Sequence, residues 1–402
     1  MSGLKCIYVI GTCDTKGAEM HYAAGLIRKA GAKCTIVDVS TGPGNFLSDV
    51  SAAEVAKWHP VGQAAVLGLS DRGRAVTAMA EALTRYILSR DDMGGILGMG
   101  GSGNSTIVTA AMRSLPIGLP KLMVSTLASG NVASFVGPSD ITMMHSVSDV
   151  AGLNAISRQV IGNAAHAMVG MFLNHVPKVD DGKLPIGLTM FGVITACVTQ
   201  VRQALEGTCE CFVFHATGTG GQCMEKLVDS GYLAGVMDLT TTEVADHLFG
   251  GILPCSDDRF GSIIRTRVPY VGSVGAVDMV NFGTRESVPE KYGTRTFHVH
   301  NSSVTLMRTT PVENALIGAW IVERLNRMDG PVRFLLPLRG VSALDSEDQP
   351  FHALEADAAL FSAIRSGWRS APNRVLIEVD AHINSPAFAQ ATVQAFREII
   401  SA

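Results

Sequence analysis

Residues 5–39 read KCIYVIGTCDTKGAEMHYAAGLIRKAGAKCTIVDV, and their pattern of apolar and polar residues indicates the fold class. Residues 5–10 form a nearly continuous apolar run, which is typical of a strand that is buried on both faces. Residues 16–30 have a helical pattern that ends at Gly31, and residues 33–39 form a second apolar strand. A strand, a helix and a strand at this spacing predict a βαβ unit with parallel strands.

The same alternation continues along the chain. Further strands are predicted at 95–98, 121–125, 186–189, 210–214, 236–239, 297–300, 332–337 and 375–379. Residues 177–185 are polar, have a proline at each end and interrupt the periodicity, which favours a domain junction. We therefore predict an α/β protein with two Rossmann-like, doubly wound subdomains and mainly parallel sheets, comprising residues 1–180 and 181–402.

Composition excludes several classes of function. Only 17% of the 402 residues are charged, the formal net charge is −4, and no Lys/Arg block is present, so direct binding of nucleic acid is not expected. No uncharged apolar stretch has the 18 residues that indicate a membrane span. The apolar run near the N-terminus is too short for a signal peptide, which predicts a cytoplasmic protein. The eight cysteines form no C-x-x-C pair, and no metal site is predicted from them.

Hydrophobic residues make up 47% of the chain, and this fraction is high beside so few charges. Such a composition favours some apolar surface that a partner subunit covers. We therefore expect a homodimer.

Ligands of doubly wound sheets bind at the carboxyl ends of the strands, so the loops there are the candidate sites. Two loops connect a strand to a helix N-terminus, whose N–H groups and dipole favour an anion. Their candidate residues are Gly11, Thr12, Asp14, Thr15 and Lys16 in the first loop, and Gly100, Gly101, Ser102, Gly103 and Asn104 in the second. A third loop offers Thr126, Ser129, Gly130 and Asn131. Ordinary turn formation and helix capping are the alternative roles of these residues.

The second loop matches the pattern G-x-G-x-x-G at residues 98–103. An NAD site would need an acidic residue about 20 positions later, and none occurs between Gly103 and Asp140. Neither loop contains the Gly-Lys-Ser/Thr of a Walker motif. The loops therefore predict phosphate binding through backbone amides, with Lys16 assisting and with Asp14 or Asp140 as candidate ligands of Mg²⁺.

Residues at strand ends in the second half suggest a site for a small anionic substrate. His215 and Glu243 are candidates for proton transfer, and Arg308 and Arg339 for binding a carboxylate or phosphate. The hydroxyl- and glycine-rich segments beside them are candidates for substrate binding, namely Thr217, Gly218, Thr219, Gly220 and Gly221, with Thr240, Thr241 and Thr242. A helix N-terminal charge for Glu243 and surface salt bridges for the arginines are the alternatives.

These blocks, in this order, resemble the ATP-binding N-terminal domain family of the tomato mosaic virus resistance protein and its bacterial relatives. The resemblance extends over nearly the whole chain and includes residues 10–16, 100–103, 129–154, 215–218, 238–243, 276–282 and 306–310. It departs from the family at Asn104, where another glycine is expected, and at Cys13, where a small alanine-like residue is expected. The resemblance implies two Rossmann-like subdomains, ATP bound in the first, and a dimer, but it implies no reaction.

Together these observations predict an ATP-binding protein, with ATP in residues 1–180, that acts on or senses a small anionic metabolite in a cleft between the subdomains. The alternative is a non-catalytic, nucleotide-dependent regulatory or interaction protein.

Overall fold

The computed structural model describes residues 5–42, 47–174, 176–177 and 182–400. The chain divides into two compact units, residues 1–179 and 180–402. The strands of the first unit are β1 (Cys6–Gly11), β2 (Cys34–Asp38), β3 (Met93–Gly100), β4 (Lys121–Ser125) and β5 (Thr142–His145). Its helices are α1 (Cys13–Lys29), α2 (Ala52–Ala56), α3 (Arg72–Leu88), α4 (Ser102–Ser114), α5 (Ala133–Val136) and α6 (Ala155–Leu173).

All strands of the first sheet are parallel, in the order β2-β1-β3-β4-β5. Alternate residues of β1 enter two different cores, because helices cover both faces of the sheet. Tyr8 and Ile10 pack with α3 and α4, whereas Ile7 and Val9 pack with α1 and α6. The chain leaves the sheet in opposite directions at β1 and β3, which makes their carboxyl ends the switch point where ligands bind in such folds.

The strands of the second unit are β6 (Leu184–Met190), β7 (Cys209–His215), β8 (Gly235–Thr240), β9 (Tyr270–Gly275), β10 (Met279–Phe282), β11 (Phe297–Asn301), β12 (Val304–Arg308), β13 (Val332–Pro337) and β14 (Arg374–Val379). Its helices are α7 (Thr195–Leu205), α8 (Thr219–Asp229), α9 (Thr242–Phe249), α10 (Gly261–Thr266), α11 (Pro311–Leu325), α12 (Leu354–Gly367) and α13 (Pro386–Ile400). Short 3₁₀ helices occur at Gln63–Ala65 in the first unit and at Gly192–Ile194, Arg285–Ser287 and Glu290–Tyr292 in the second.

Six strands of the second unit form a parallel sheet in the order β14-β13-β9-β8-β6-β7. Helices α7 and α13 pack on one face, and α8, α11 and α12 pack on the other. The strand predicted at 297–300 belongs instead to a separate antiparallel sheet, β10-β12-β11. The prediction of two doubly wound subdomains with mainly parallel sheets is confirmed. Within the described ranges, no helix is both long enough and apolar enough to cross a membrane.

Candidate functional site

A cavity of about 450 Å³ lies at the carboxyl edge of the first sheet, at the switch point. Both predicted loops contribute to its wall, with Thr12, Asp14, Thr15 and Lys16 from the first and Gly101, Ser102, Gly103 and Asn104 from the second. Sequence reasoning missed six lining residues, which are Val39, Thr41, Arg72, Val76, Ile107 and Asp149. Ile107 lies in the second turn of α4, and the other five come from other loops and helices that the strand order brings to this edge.

The N-terminus of α4 is open toward this cavity. Its N-cap residue, Gly101, has no side chain to cap the helix. The backbone N–H groups of Ser102, Gly103 and Asn104 find no acceptor in the part of the chain that the structure describes, while Ser105 donates to the Gly101 carbonyl. Three free N–H groups at the positive end of a helix dipole make a binding position for an anion.

The N-terminus of α1 is already occupied by groups of the protein. The N–H of Cys13 donates to Asp38 Oδ1 at 2.9 Å, and the N–H of Asp14 donates to Ser40 Oγ at 3.1 Å. The next two N–H groups donate to the Thr12 carbonyl. The first loop therefore faces a ligand with side chains, chiefly Lys16 and the Thr12 and Thr15 hydroxyls, rather than with the free amides expected from its sequence.

Two cations line the cavity without a carboxylate partner. Lys16 is half-buried, Arg72 is exposed, and neither forms an ion pair with any residue that the structure describes. Arg72 Nη2 lies 3.9 Å from the point where a Cβ on Gly103 would stand, so the guanidinium is next to the α4 N-terminus. The carboxylates of Asp14 and Asp149 lie on the same wall. The cavity thus presents both anion-binding groups and hard oxygen ligands.

Gly11 and Gly100 do not line the cavity, but their lack of a side chain leaves space for Asn104, which does. A Cβ on Gly11 would lie 2.9 Å from Met20 Sδ and 3.1 Å from Asn104 Nδ2. Gly100 has φ 150°, and a Cβ there would lie 2.9 Å from Asn104 Cβ. Asn104 is buried and donates to the Met99 carbonyl. These two glycines therefore permit Asn104 to pack beneath the second loop.

The third predicted loop, with Asp140, lies outside this wall. Gly130 donates its N–H to the Leu127 carbonyl, and Asn131 Oδ1 accepts from the N–H of Ala133 at the start of α5. Ser129 is exposed, and Thr126 Oγ1 lies 3.8 Å from the point where a Cβ on Gly101 would stand. Asp140 accepts from buried Lys121 Nζ at 2.5 Å and from the Gly118 N–H at 2.7 Å. This pairing gives Asp140 a structural contact, and the acidic residues that line the cavity are Asp14 and Asp149.

In the second unit, the glycine-rich loop after β7 binds a carboxylate of the protein itself. Glu243 is fully buried, and its Oε1 accepts from the N–H groups of Gly218 at 2.7 Å and Gly221 at 3.2 Å. Its Oε2 accepts from Arg259 Nε at 3.0 Å. Burial raises the pKa of Glu243, and the adjacent Arg259 guanidinium opposes that shift. The glycine-rich loop therefore binds the Glu243 carboxylate where the sequence predicted a small anionic substrate.

Arg259 is the centre of a buried network that the sequence did not reveal. Besides Glu243, it donates to Glu225 at 2.9 Å and to Asp238 at 2.8 Å. Asp238 also accepts from the hydroxyls of Thr189 and Tyr270. The hydroxyl-bearing residues that follow Asp238, which are Thr240, Thr241 and Thr242, are all buried. The space around Arg259 and Asp238 in the second unit is therefore occupied by polar side chains of the protein.

The remaining catalytic candidates have separate surroundings. Arg308 is buried and donates to Asp357 at 2.9 Å, to Asp345 at 3.4 Å and to the Phe351 carbonyl at 2.6 Å. Arg339 is exposed and pairs with Asp380 at 2.5 Å. His215 is exposed, with its ring 5.3 Å from that of Phe191. Among described residues, no hydrogen bond or ion pair joins any two of His215, Glu243, Arg308 and Arg339, and no group of three or more His, Cys, Asp or Glu is placed to hold a metal ion.

The cluster around Arg308 should make the stability of the second unit depend on pH. Burial raises the pKa of Asp357 to about 8, the neighbouring Asp345 carboxylate acts in the same direction, and Arg308 opposes them. Asp278, also near Arg308 and Asp345, has a pKa raised by burial. An unfolded aspartate titrates near pH 3.9, so the folded state retains a proton that the unfolded state loses.

The stabilisation from this retained proton is complete at low pH and is lost as the pH rises through about 8. Between pH 5 and 8, the free energy of unfolding should fall by up to about 1.4 kcal/mol per pH unit relative to Asp357→Asn. Urea unfolding of both proteins across this range measures the difference. If the free energies of unfolding of the wild type and of Asp357→Asn changed equally with pH, Asp357 would not be the group that retains the proton.

Comparison with known proteins identifies relatives along the chain. The models of the N-terminal and C-terminal domains of an uncharacterised protein family (UPF0261) match residues 5–177 and 183–400. A UPF0261 protein of Rhizobium meliloti (strain 1021) is 54% identical over 396 residues, which cover 98% of this chain and 99% of the relative. The ToMV resistance protein Tm-1(GCR237) of Solanum lycopersicum is 39% identical over 419 residues, which cover 98% of this chain and 55% of the tomato protein. The chain therefore belongs to the UPF0261 family, as its sequence blocks predicted.

Proposed function

We propose that the first unit binds ATP in the switch-point cavity, with phosphate oxygens at the N-terminus of α4. The observation that carries this proposal is a combination within one cavity: among the residues that the structure describes, the N–H groups of Ser102 to Asn104 have no acceptor, and Lys16 and Arg72 have no ion-pair partner. Lys16 supplies a point charge and Arg72 a planar, two-pronged donor, and both kinds of group bind phosphate.

The other features of the cavity fit the rest of a nucleotide. Val39, Val76 and Ile107 form an apolar part of the wall, suited to the face of a base. A volume of about 450 Å³ lies in the range of small-molecule sites. Asp14 and Asp149 are oxygen ligands of the kind that share Mg²⁺ with nucleotide phosphates. We therefore include Mg²⁺ in the proposed complex.

Titration calorimetry with ATP and with NAD, each with and without Mg²⁺, tests this proposal. ATP should bind to the wild type, and Lys16→Ala should weaken binding about 10- to 100-fold, because a charge-assisted bond to phosphate is lost. Arg72→Ala should weaken it by about tenfold, since this side chain is exposed. Arg85→Ala, which removes an exposed arginine paired with Glu81, is the matched control. Binding of NAD without ATP, or ATP affinity unchanged in both cavity variants, would refute the site.

We propose further that the protein uses ATP to act on or to sense a small anionic metabolite. A regulatory role without catalysis is the second candidate, and the engagement of Glu243 and Arg308 in internal contacts favours it. His215 and Arg339 are the two exposed members of the predicted catalytic set. Hydrolysis of ATP that increases with an added metabolite would support the enzyme, whereas binding without turnover across a metabolite library would support the regulator.

We propose, in addition, that the protein forms a homodimer and is located in the cytoplasm. All eight cysteines are free, which is consistent with a reducing compartment. The sequence carries 17% charged residues, and exposed apolar side chains such as Phe212 and Val213 provide surface for a partner. Multi-angle light scattering at micromolar concentration should give twice the 42.4 kDa chain mass. A single-chain mass would exclude a stable dimer.

A further inference from the structure

A groove on α11 and α12 of the second unit has no part in the proposed nucleotide site. One cavity of about 410 Å³ has a floor of small apolar residues, Ala319, Val322, Ala363 and Gly367. A second cavity, of about 330 Å³, is lined by Leu248, Phe249, Leu316 and Trp320 and shares Ala319 and Glu323 with the first. The two cavities therefore form one apolar groove along α11.

The apolar part of the groove is open to solvent. Leu316 is 53% exposed, and Val312, one turn before it on the same helix face, is 72% exposed. Contiguous apolar surface of this kind on a water-facing helix marks a binding site more often than isolated apolar residues do.

The other end of the groove is positively charged. Arg327 and Arg369 line it, and neither forms an ion pair with a carboxylate in the portion of the chain described. Beneath them, buried Arg374 donates only to neutral oxygens, on Asn326, Met328 and Arg369. Glu323, the acidic residue of the groove, is 3.7 Å from Arg324. The guanidinium groups at this end thus have too few carboxylates to balance their charge.

We propose that this groove binds an amphiphilic anion, with a carboxylate or phosphate head at Arg327 and Arg369 and an alkyl chain along α11. The chain would pass Ala319 toward Leu316. Because a helix rises 1.5 Å per residue, Leu316 lies about 13 Å along the axis from the end of α11 at Leu325, and Arg327 follows two residues later. This length suits a chain of roughly ten to twelve carbons. The cavity volumes are in the range of small-molecule sites, which favours such a ligand over a protein partner.

Titration calorimetry on the full chain, with octanoate, dodecanoate, octyl phosphate and the neutral octanol, tests each part of this site. Dodecanoate should bind more tightly than octanoate, by about two- to fourfold for each additional methylene that contacts the apolar wall of the groove. Octanol should bind at least tenfold more weakly than octanoate, because it lacks the charge. Comparison of octanoate with octyl phosphate identifies the preferred head group.

Two variants test the binding of the ligand's head group and of its alkyl chain separately. The double variant Arg327→Ala/Arg369→Ala should weaken binding of both anions by at least tenfold and leave octanol unchanged. Ala319→Phe, placed where the two cavities meet, should remove the advantage of dodecanoate over octanoate. Arg85→Ala in the first unit is the control, and thermal unfolding verifies that each variant is folded. No binding of either fatty acid, or equal affinity in the double variant, overturns the proposal.

Discussion

Replacing Arg259 by alanine should lower the free energy of unfolding of the second unit by about 3–5 kcal/mol, the cost of breaking a buried ion pair from one side. The side chain of Arg259 is 1% exposed and forms ion pairs with Glu225, Asp238 and Glu243, whose side chains are no more than 9% exposed. Without the guanidinium, these carboxylates stay buried with no cation, or take up protons. Urea unfolding at pH 8 measures the loss.

The deficit of Arg259→Ala should shrink as the pH falls toward 5, because protonation removes the uncompensated negative charge. Arg265→Ala is the matched control, since Arg265 pairs with Asp229 and Asp258 at the surface and surface pairs contribute about 0–1 kcal/mol. Equal stability of the two arginine variants would contradict a central role of Arg259.

Replacing Gly220 by alanine should destabilise the second unit by at least about 3 kcal/mol, since a clash between a Cβ and a backbone carbonyl cannot be relieved by a side-chain rotation. A Cβ on Gly220 would stand 1.8 Å from the His215 carbonyl oxygen. The loop would have to move away from β7, and the N–H groups of Gly218 and Gly221 would then leave the Glu243 carboxylate. Thermal unfolding measures the change in stability.

Gly207→Ala is the control for this substitution. A Cβ at Gly207 would meet no atom within 4 Å, so the change should be nearly neutral. If Gly220→Ala were as stable as Gly207→Ala, the loop after β7 would be free to move, and the internal role assigned to its glycines would be wrong.

Local pattern predicted the elements whose burial follows a simple rule. The strand at 5–10 appears as β1, and its continuous apolar run reflects cores on both faces of the sheet. The N-terminus of α11 has a similarly local signal, because Thr310, Pro311 and Glu313 have the residue pattern of a capping box, and the structure forms this box. Both signals lie within a few residues of sequence, which is why they could be read without the fold.

Strand β9 was missed although it is fully buried in the middle of the second sheet. Its sequence, YVGSVG, has few apolar residues and two glycines, which is a weak strand signal. Gly272 is needed because a Cβ there would lie 2.5 Å from the Tyr270 ring. That requirement depends on the packing of Tyr270 against Asp238 and Phe260, which are distant in sequence.

Local sequence pattern was sufficient to predict the alternation of strands and helices, and with it the parallel sheets and the loops where ligands could bind. Which of these loops remain open depends on contacts between residues that are distant in sequence. Asp38 and Ser40 accept from the N–H groups at the N-terminus of α1, and Glu243 accepts from the glycines after β7. The first N–H groups of α4, in contrast, have no acceptor within the described part of the chain. These partners come from other strands and helices at the same edge of the sheet: Asp38 is the last residue of β2, which pairs with β1, and Glu243 lies in the first turn of α9, which follows β8. Strand order, rather than local composition, places a carboxylate within hydrogen-bonding distance of a helix N-terminus or leaves that position empty.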